Sequence, residues 1–179
     1  SGSVRAGRQS HKLAVYLDKQ LALRDGIQPT VLDLKAYNFP VMEERLGKMD
    51  TSPEGLADFA QKIDEADAVI FVSPEYNGSY SGALKNATDY IYQQFSKKPI
   101  GVATASGGQM GGISASHMLQ NLVLNLGGFP IPRKILVPAV HNAFTEAGEL
   151  ENERQAQGVE GFLDDLLWLA EAVKNQKSK

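Results

Sequence analysis

Apolar positions along the chain alternate between helical stripes and short uninterrupted runs. Leu13, Tyr16, Leu17 and Leu21 share one helical face and predict a first helix over about residues 10–24. Residues 30–34, Thr-Val-Leu-Asp-Leu, are short and rich in β-branched side chains, which predicts a strand. Residues 35–50 carry no period and read as a long connection containing Pro40. Ser52-Pro53 has the form of an N-cap followed by proline at the first helical position, and Leu56, Phe59, Ala60 and Ile63 continue it as a stripe. Two bare apolar runs, at 68–72 and 100–105, are strands of the kind buried on both faces. Each leads into a polar, glycine-containing loop and then a helix, marked first by Leu84, Ala87, Thr88 and Ile91, then by Leu119, Leu122, Val123 and Leu126. The second helix stops at Gly127-Gly128. Residues 134–137 complete the strands, and Val159, Phe162, Leu163, Leu166 and Ala170 mark a last helix whose Lys-rich tail is expected to fray.

Unalternating strands separated by helix-length segments mean a parallel sheet covered on both sides, so the expected fold is one doubly wound α/β domain over residues 1–179. Such a sheet needs an apolar strand of about five residues ahead of its first loop. The sequence opens on the loop itself, at Ser1-Gly2-Ser3-Val4-Arg5. The expectation is that the first strand precedes these residues.

Composition narrows the chemistry. A net charge of −3 gives no reason to expect a nucleic acid or an anionic membrane as partner. The absence of cysteine excludes disulfides, thiol nucleophiles and cysteine-held metal clusters, and agrees with a cytoplasmic location. No apolar run approaches the ~20 residues of a membrane span. His11, His117 and His141 lie far apart without companions at metal-ligand spacing, so no metal site is expected. Met110 and Met118 read as core or pocket-wall filler, and Trp168 as a residue bordering the core or a subunit interface.

Three loops follow strand positions and so share one edge of a parallel sheet, where open α/β sheets bind ligands. Ser3, Arg5, Arg8, Gln9 and Ser10 stand just before a helix, where hydroxyls, guanidinium groups and free N–H groups suit a phosphate. The plainer reading is an N-capping Ser10 with solvated arginines. The spacing fits neither a Walker loop nor G-x-G-x-x-G. Pro74, Glu75, Tyr76, Asn77 and Gly78 offer flat and polar groups together, as a planar ligand with hydrogen-bonding edges requires. Ser106, Gly107 and Gly108, with Gly111 and Gly112, allow close backbone approach to a ligand, or form an ordinary strand–helix turn. Together the loops describe a mononucleotide site.

Ser1-Gly2-Ser3-Val4-Arg5, Pro74-Glu75-Tyr76-Asn77-Gly78-Ser79, Gly82-Ala83-Leu84-Lys85-Asn86-Ala87 and Ser106-Gly107-Gly108 resemble the NAD(P)H-dependent FMN reductases, the flavodoxin-like family that includes quinone, chromate and azo reductases. The resemblance implies a five-stranded parallel sheet, FMN at the strand ends, and a homodimer or homotetramer whose interface borders the flavin. It implies that Ser3, Arg5 and Ser10 hold the phosphate, with Arg8 and Gln9 nearby. Pro74, Glu75, Tyr76 and Asn77 would line the ring, Asn77 and Gly78 backbone lying near its polar edge, and Ser106 and Gly107 near its pyrimidine end. It further implies ping-pong hydride transfer from NADPH or NADH, through FMN, to a small-molecule electron acceptor: a quinone, an azo compound, a metal oxyanion such as chromate, or free flavin. No side chain is expected to act as general acid or base, and Glu75 is expected to bond backbone within its own loop. Ser81 stands where many relatives carry proline, which is expected to loosen the loop. His11-Lys12 departs from the small or amide residues usual after Ser10. The alternatives are a flavodoxin-type electron carrier that holds FMN without turning over NAD(P)H, and a non-redox binding module.

Overall fold

A computed structural model describes residues 1–177. Strand β2 (Pro99–Ala105) is buried at all seven positions, which is why its sequence shows no polar alternation. It lies between β1 (Val69–Pro74) and β3 (Phe129–Val137), and all three run parallel, with Phe71 opposite Val102 and Ala103 opposite Ile135. Alternate residues of β2 feed two cores. Ile100 and Val102 pack with α3 (Leu56–Glu65), α4 (Gly82–Tyr90) and α5 (Ile113–Asn125) through Phe59, Leu84 and Leu119. Ala103 and Ala105 face α1 (Ser10–Ala22) and α6 (Glu153–Lys177), packing with Leu13, Leu17 and Phe162. Small residues are required on that side. A Cβ on Gly101 would stand 2.4 Å from Cζ of Phe162.

The sheet departs from expectation at its β1 edge. Among the described residues it has three strands, not five. Residues 30–33 are no strand, and Leu34 instead opens a short helix, α2 (Leu34–Tyr37), capped by the Asp33 side chain through Lys35 N–H. A strand needs a neighbour along its length, and the backbone of this segment pairs across with only Ser1 among the described residues. Ser1 donates to Leu32 O (2.7 Å) and accepts from Leu34 N (3.2 Å), while Gly2 donates to Val72 O (2.8 Å). The lateral order is therefore residues 30–34, then 1–2, then β1, β2 and β3. Beyond those rungs the same edge is a groove of about 1010 Å³ lined by Leu17, Leu21, Val31, Val69 and Ile70.

One helix start and one helix end also differ. Ser52 does not cap α3: a turn closed by Leu56 N–H on Pro53 O (3.1 Å) intervenes, and Gly55, at φ 75°, is the N-cap. The first helix ends at Ala22, two residues short of the expected boundary. The expected fraying of the tail falls in part on residues 178–179, outside the described residues; α6 itself is helical to Lys177. No helix among the described residues is long and apolar enough to cross a membrane.

Candidate functional site

Parallel strands bring their carboxyl ends to one edge, and there the three loops meet. Pro74 pairs with Ala105, and Ala105 with Val137, so the segments that follow start level with one another. Glu75 N–H donates to Ala105 O (3.3 Å) and Ser106 N–H to Val137 O (3.0 Å), continuing the ladder one step into the loops. The large groove lies along the free side of β1, away from this convergence. Its long apolar walls and backbone edge suit an extended segment rather than a planar polar ligand.

The loop before α1 has the character of an anion site. The helix begins without a side-chain cap and without an acidic residue in its first turn, so no side chain offsets its N-terminal dipole. Of its first three N–H groups only that of Lys12 has a backbone acceptor among the described residues, Gln9 O at 3.0 Å. Ser10 is 2% exposed and its hydroxyl has no hydrogen-bond partner among the described residues. A buried hydroxyl left unpaired costs about 1–3 kcal/mol, and a phosphate oxygen would satisfy it. Gln9 is turned away, donating from Nε2 to Gly7 O at 3.3 Å. Arg5 is exposed and lies over the Tyr76 ring, its guanidinium carbon 5.6 Å from the centroid.

Arg8 is engaged elsewhere. It makes a bidentate pair with Asp33 (2.5 and 2.6 Å) and also donates to Ser3 O at 2.9 Å. Burial opposes the Asp33 charge, yet the hydrogen bonds from Arg8 and Lys35 N–H, with the Arg8 charge, hold its pKa below the ordinary 3.8. Burial, then the neighbouring Arg8 charge, push His11 below its ordinary 6.5, against the raising effect of Asp33. His11 Nδ1 lies 3.1 Å from Ser1 Oγ.

The loop after β1 is shaped by a tight hairpin turn. Asn77 (φ 51°) and Gly78 (φ 77°) are both left-handed, and Tyr76 and Ser79 exchange N–H···O bonds of 2.8 and 3.1 Å across them. Asn-Gly is the pair such a turn demands, so these two residues are explained first by backbone geometry. Their side of the loop is exposed. Pro74 is buried at the end of β1. Tyr76 reaches the first loop, its hydroxyl 3.0 Å from Ser3 Oγ. Glu75 does serve structure, but not within its own loop. Its Oε2 accepts from Ala115 N–H (3.0 Å) in the first turn of α5, where a carboxylate also complements the helix dipole.

In the third loop, Gly111 and Gly112 pack closely against the protein's own β2 and β3. A Cβ on Gly111 (φ 60°) would meet Leu136 C and Val137 N at 2.9 Å, and one on Gly112 (φ 84°) would meet Thr104 at 3.0 Å. Ser106 Oγ accepts from Gly108 N–H at 3.2 Å, which closes a small turn. Gly107 is exposed with His141 alongside, 3.8 Å from the place of a Cβ. Met110 and Met118 are 65% and 49% exposed and lie outside the core, Met118 lining a surface pocket with Tyr80 and Tyr92, and Trp168 is 71% exposed.

Sequence reasoning missed three contributors. Asp33 was read as a strand residue, and only its pairing with Arg8 brings it to the site. His141 reaches the third loop because Val140 N–H bonds Ser106 O (3.0 Å) and Ala139 N–H bonds Gly108 O (3.1 Å). Ser81 was expected to loosen the second loop and instead ties it. Its hydroxyl donates to Gly2 O and accepts from Leu84 N–H (3.2 Å), and its N–H donates to Ser73 Oγ (3.0 Å). The spacing of polar residues around a future helix start was the available signal for Ser81; nothing local marked the other two.

An unpartnered buried hydroxyl at an uncapped helix start, beside an aromatic loop on the same sheet edge, fits the phosphate and ring of a flavin mononucleotide. Comparison with known proteins agrees. The FMN-dependent NADPH-azoreductase of Staphylococcus haemolyticus is 35% identical over 144 residues, 75% of this chain and 72% of that protein. A quinone reductase of Pseudomonas putida is 32% identical over 173 residues, 91% of this chain and 88% of the relative. Among solved structures, FerB, a flavoenzyme NAD(P)H:(acceptor) oxidoreductase from Paracoccus denitrificans, matches with a TM-score of 0.81 and 28% identity, over 96% of this chain and 94% of that one. The family description "NADPH-dependent FMN reductase" matches residues 1–142, and with its flavodoxin-like fold the chain belongs to that family.

Proposed function

We propose that this chain oxidises NADPH or NADH and passes the hydride in ping-pong order, through bound FMN, to a small-molecule acceptor of the quinone or azo class. The observation that carries the reading is the buried, unpartnered Ser10 hydroxyl at the open N-terminus of α1, level with the Tyr76 loop. FMN, when bound, supplies the two-electron chemistry.

The chain's own residues bind and orient. Ser10 and the first N–H groups of α1 hold the phosphate, with Ser3 and Gln9 lining the loop and Arg5 closing over it from the exposed side. Pro74, Tyr76 and the Asn77-Gly78 turn line the ring, and Ser106 and Gly107 border its far end. Glu75 is committed to Ala115 N–H, so this carboxylate positions α5 and is no general base. An open edge over a flat ring accepts planar molecules of different outline, which matches the quinone and azo compounds named for the relatives. The working protein is a homodimer or homotetramer, a part of the reading that sedimentation velocity checks directly.

FMN-loaded protein mixed anaerobically with NADPH or NADH tests the reading. Bleaching of the flavin absorbance without a partner protein, followed by recovery on adding a quinone, is expected. Persistent colour with both nucleotides would make the chain an electron carrier. Failure to retain FMN would remove the cofactor assignment altogether.

A further inference from the structure

Arg8 looks at first like a phosphate ligand, since it lies two residues before Ser10 in an anion-binding loop. Its geometry says otherwise. Both terminal nitrogens donate to Asp33, and Nη1 gives its second hydrogen to Ser3 O, at distances of 2.5 to 2.9 Å. The two side chains are only 13% and 22% exposed. A partly buried planar fork matched to a carboxylate is a strong arrangement and one that lysine cannot reproduce. Asp33 is itself fixed, because its Oδ1 also accepts from Lys35 N–H (3.0 Å) at the start of α2. For Arg8 to turn to a phosphate, Asp33 would be left unpaired beside a dianion, and two repelling charges would share the site.

We infer that Arg8 and Asp33 are positioning residues: the pair anchors the Ser3 carbonyl to the start of α2 and so sets the shape of the phosphate loop, while Arg8 itself does not bind the phosphate. The pair is close to neutral as a unit. The favourable field at the phosphate then comes from the α1 N-terminus and from Arg5, and the Ser10 hydroxyl stays aimed at its ligand because the loop beneath it is braced. The inference rests on the FMN reading above.

Opposite signs separate a brace from a ligand. Apoprotein is titrated with FMN and with riboflavin, which has the same ring and no phosphate. Wild type is expected to prefer FMN strongly; equal affinity would overturn the FMN reading and this inference with it. Asp33→Asn keeps an N-cap of equal quality for α2 but breaks the ion pair. It is expected to weaken FMN binding about tenfold, the scale of a coupled contact pair, and riboflavin binding by less than about twofold. Arg8→Lys is expected to do the same, and Asp33→Glu to recover most of the loss. If Arg8 is instead a direct ligand, Asp33→Asn frees it, and FMN binds as well or better while Arg8→Lys still weakens it; that pattern sinks the inference. Equal losses for FMN and riboflavin would also overturn it, since a loosened fold does not distinguish the two.

Discussion

The Ser81 hydroxyl donates to Gly2 O and accepts from Leu84 N–H, so one atom joins the first loop to the start of α4. Replacing it with alanine removes an N-cap and a buried inter-loop bond, and about 1–2 kcal/mol of stability should be lost in urea unfolding. Proline at this position should cost more here, because the Ser73 hydroxyl would also lose the Ser81 N–H. Glu75 behaves similarly. Glu75→Ala leaves Ala115 N–H unpaired and should destabilise by about 1 kcal/mol, whereas Glu75→Gln keeps an acceptor and should stay close to wild type in stability and turnover. A large fall in turnover for the glutamine variant, with stability intact, would restore Glu75 as an acid–base candidate. Asn77→Leu should lower flavin retention, but its left-handed backbone also charges the turn about 1–2 kcal/mol. Asn77→Gly is the cleaner probe, since it removes the side chain and keeps the turn. Full FMN occupancy in that variant would leave only the backbone of the loop as a ring contact.

Between β2 and α6, one position decides the fit of two elements. Gly101→Ala places a methyl group within 2.4 Å of the Phe162 ring, and Phe162 is 1% exposed in a packed core. Overpacking of this kind costs about 1–3 kcal/mol, read as a lower urea midpoint with an unchanged m-value. Gly111→Ala should be at least as damaging, because the atoms it meets belong to the β3 backbone and cannot swing away. Element type was legible where the apolar run is unbroken: the bare runs at 68–72 and 100–105 are β1 and β2. β3 begins at Phe129, five residues earlier than its apolar run suggested, because Pro130, Pro132 and exposed Arg133 break the pattern on an edge strand that tolerates them. Residues 30–34 carried a strand signal, yet the capping Asp33 and the lack of a long neighbour gave that stretch to an extended run and a helix start.

Across the molecule, mild acid should act through His11 in the first turn of α1. The native His11 pKa lies below 6.5, so the unfolded chain takes up that proton first as pH falls, and stability present above 6.5 is lost progressively beneath it. Asp33 adds a second loss further down: its native pKa lies below 3.8, and the stability it contributes above that value disappears as the carboxylate is protonated. Urea unfolding at several pH values should show both stages, and His11→Asn should flatten only the upper one. An unchanged slope in that variant would exclude His11 as the source.

Alternating helical stripes and bare runs determined a parallel, doubly wound sheet, because burial on two faces leaves no room for polar alternation. Pro-Glu-Tyr-Asn-Gly and the loop from Ser3 to Ser10 marked the candidate edge, because turn backbones and helix starts carry local residue requirements. Tertiary structure alone decided that Arg8 pairs with Asp33, that Glu75 serves α5, and that Ser81 ties two loops. Those pairings join residues 25 to 79 positions apart, and only the packing of the elements determines which distant partner a side chain meets.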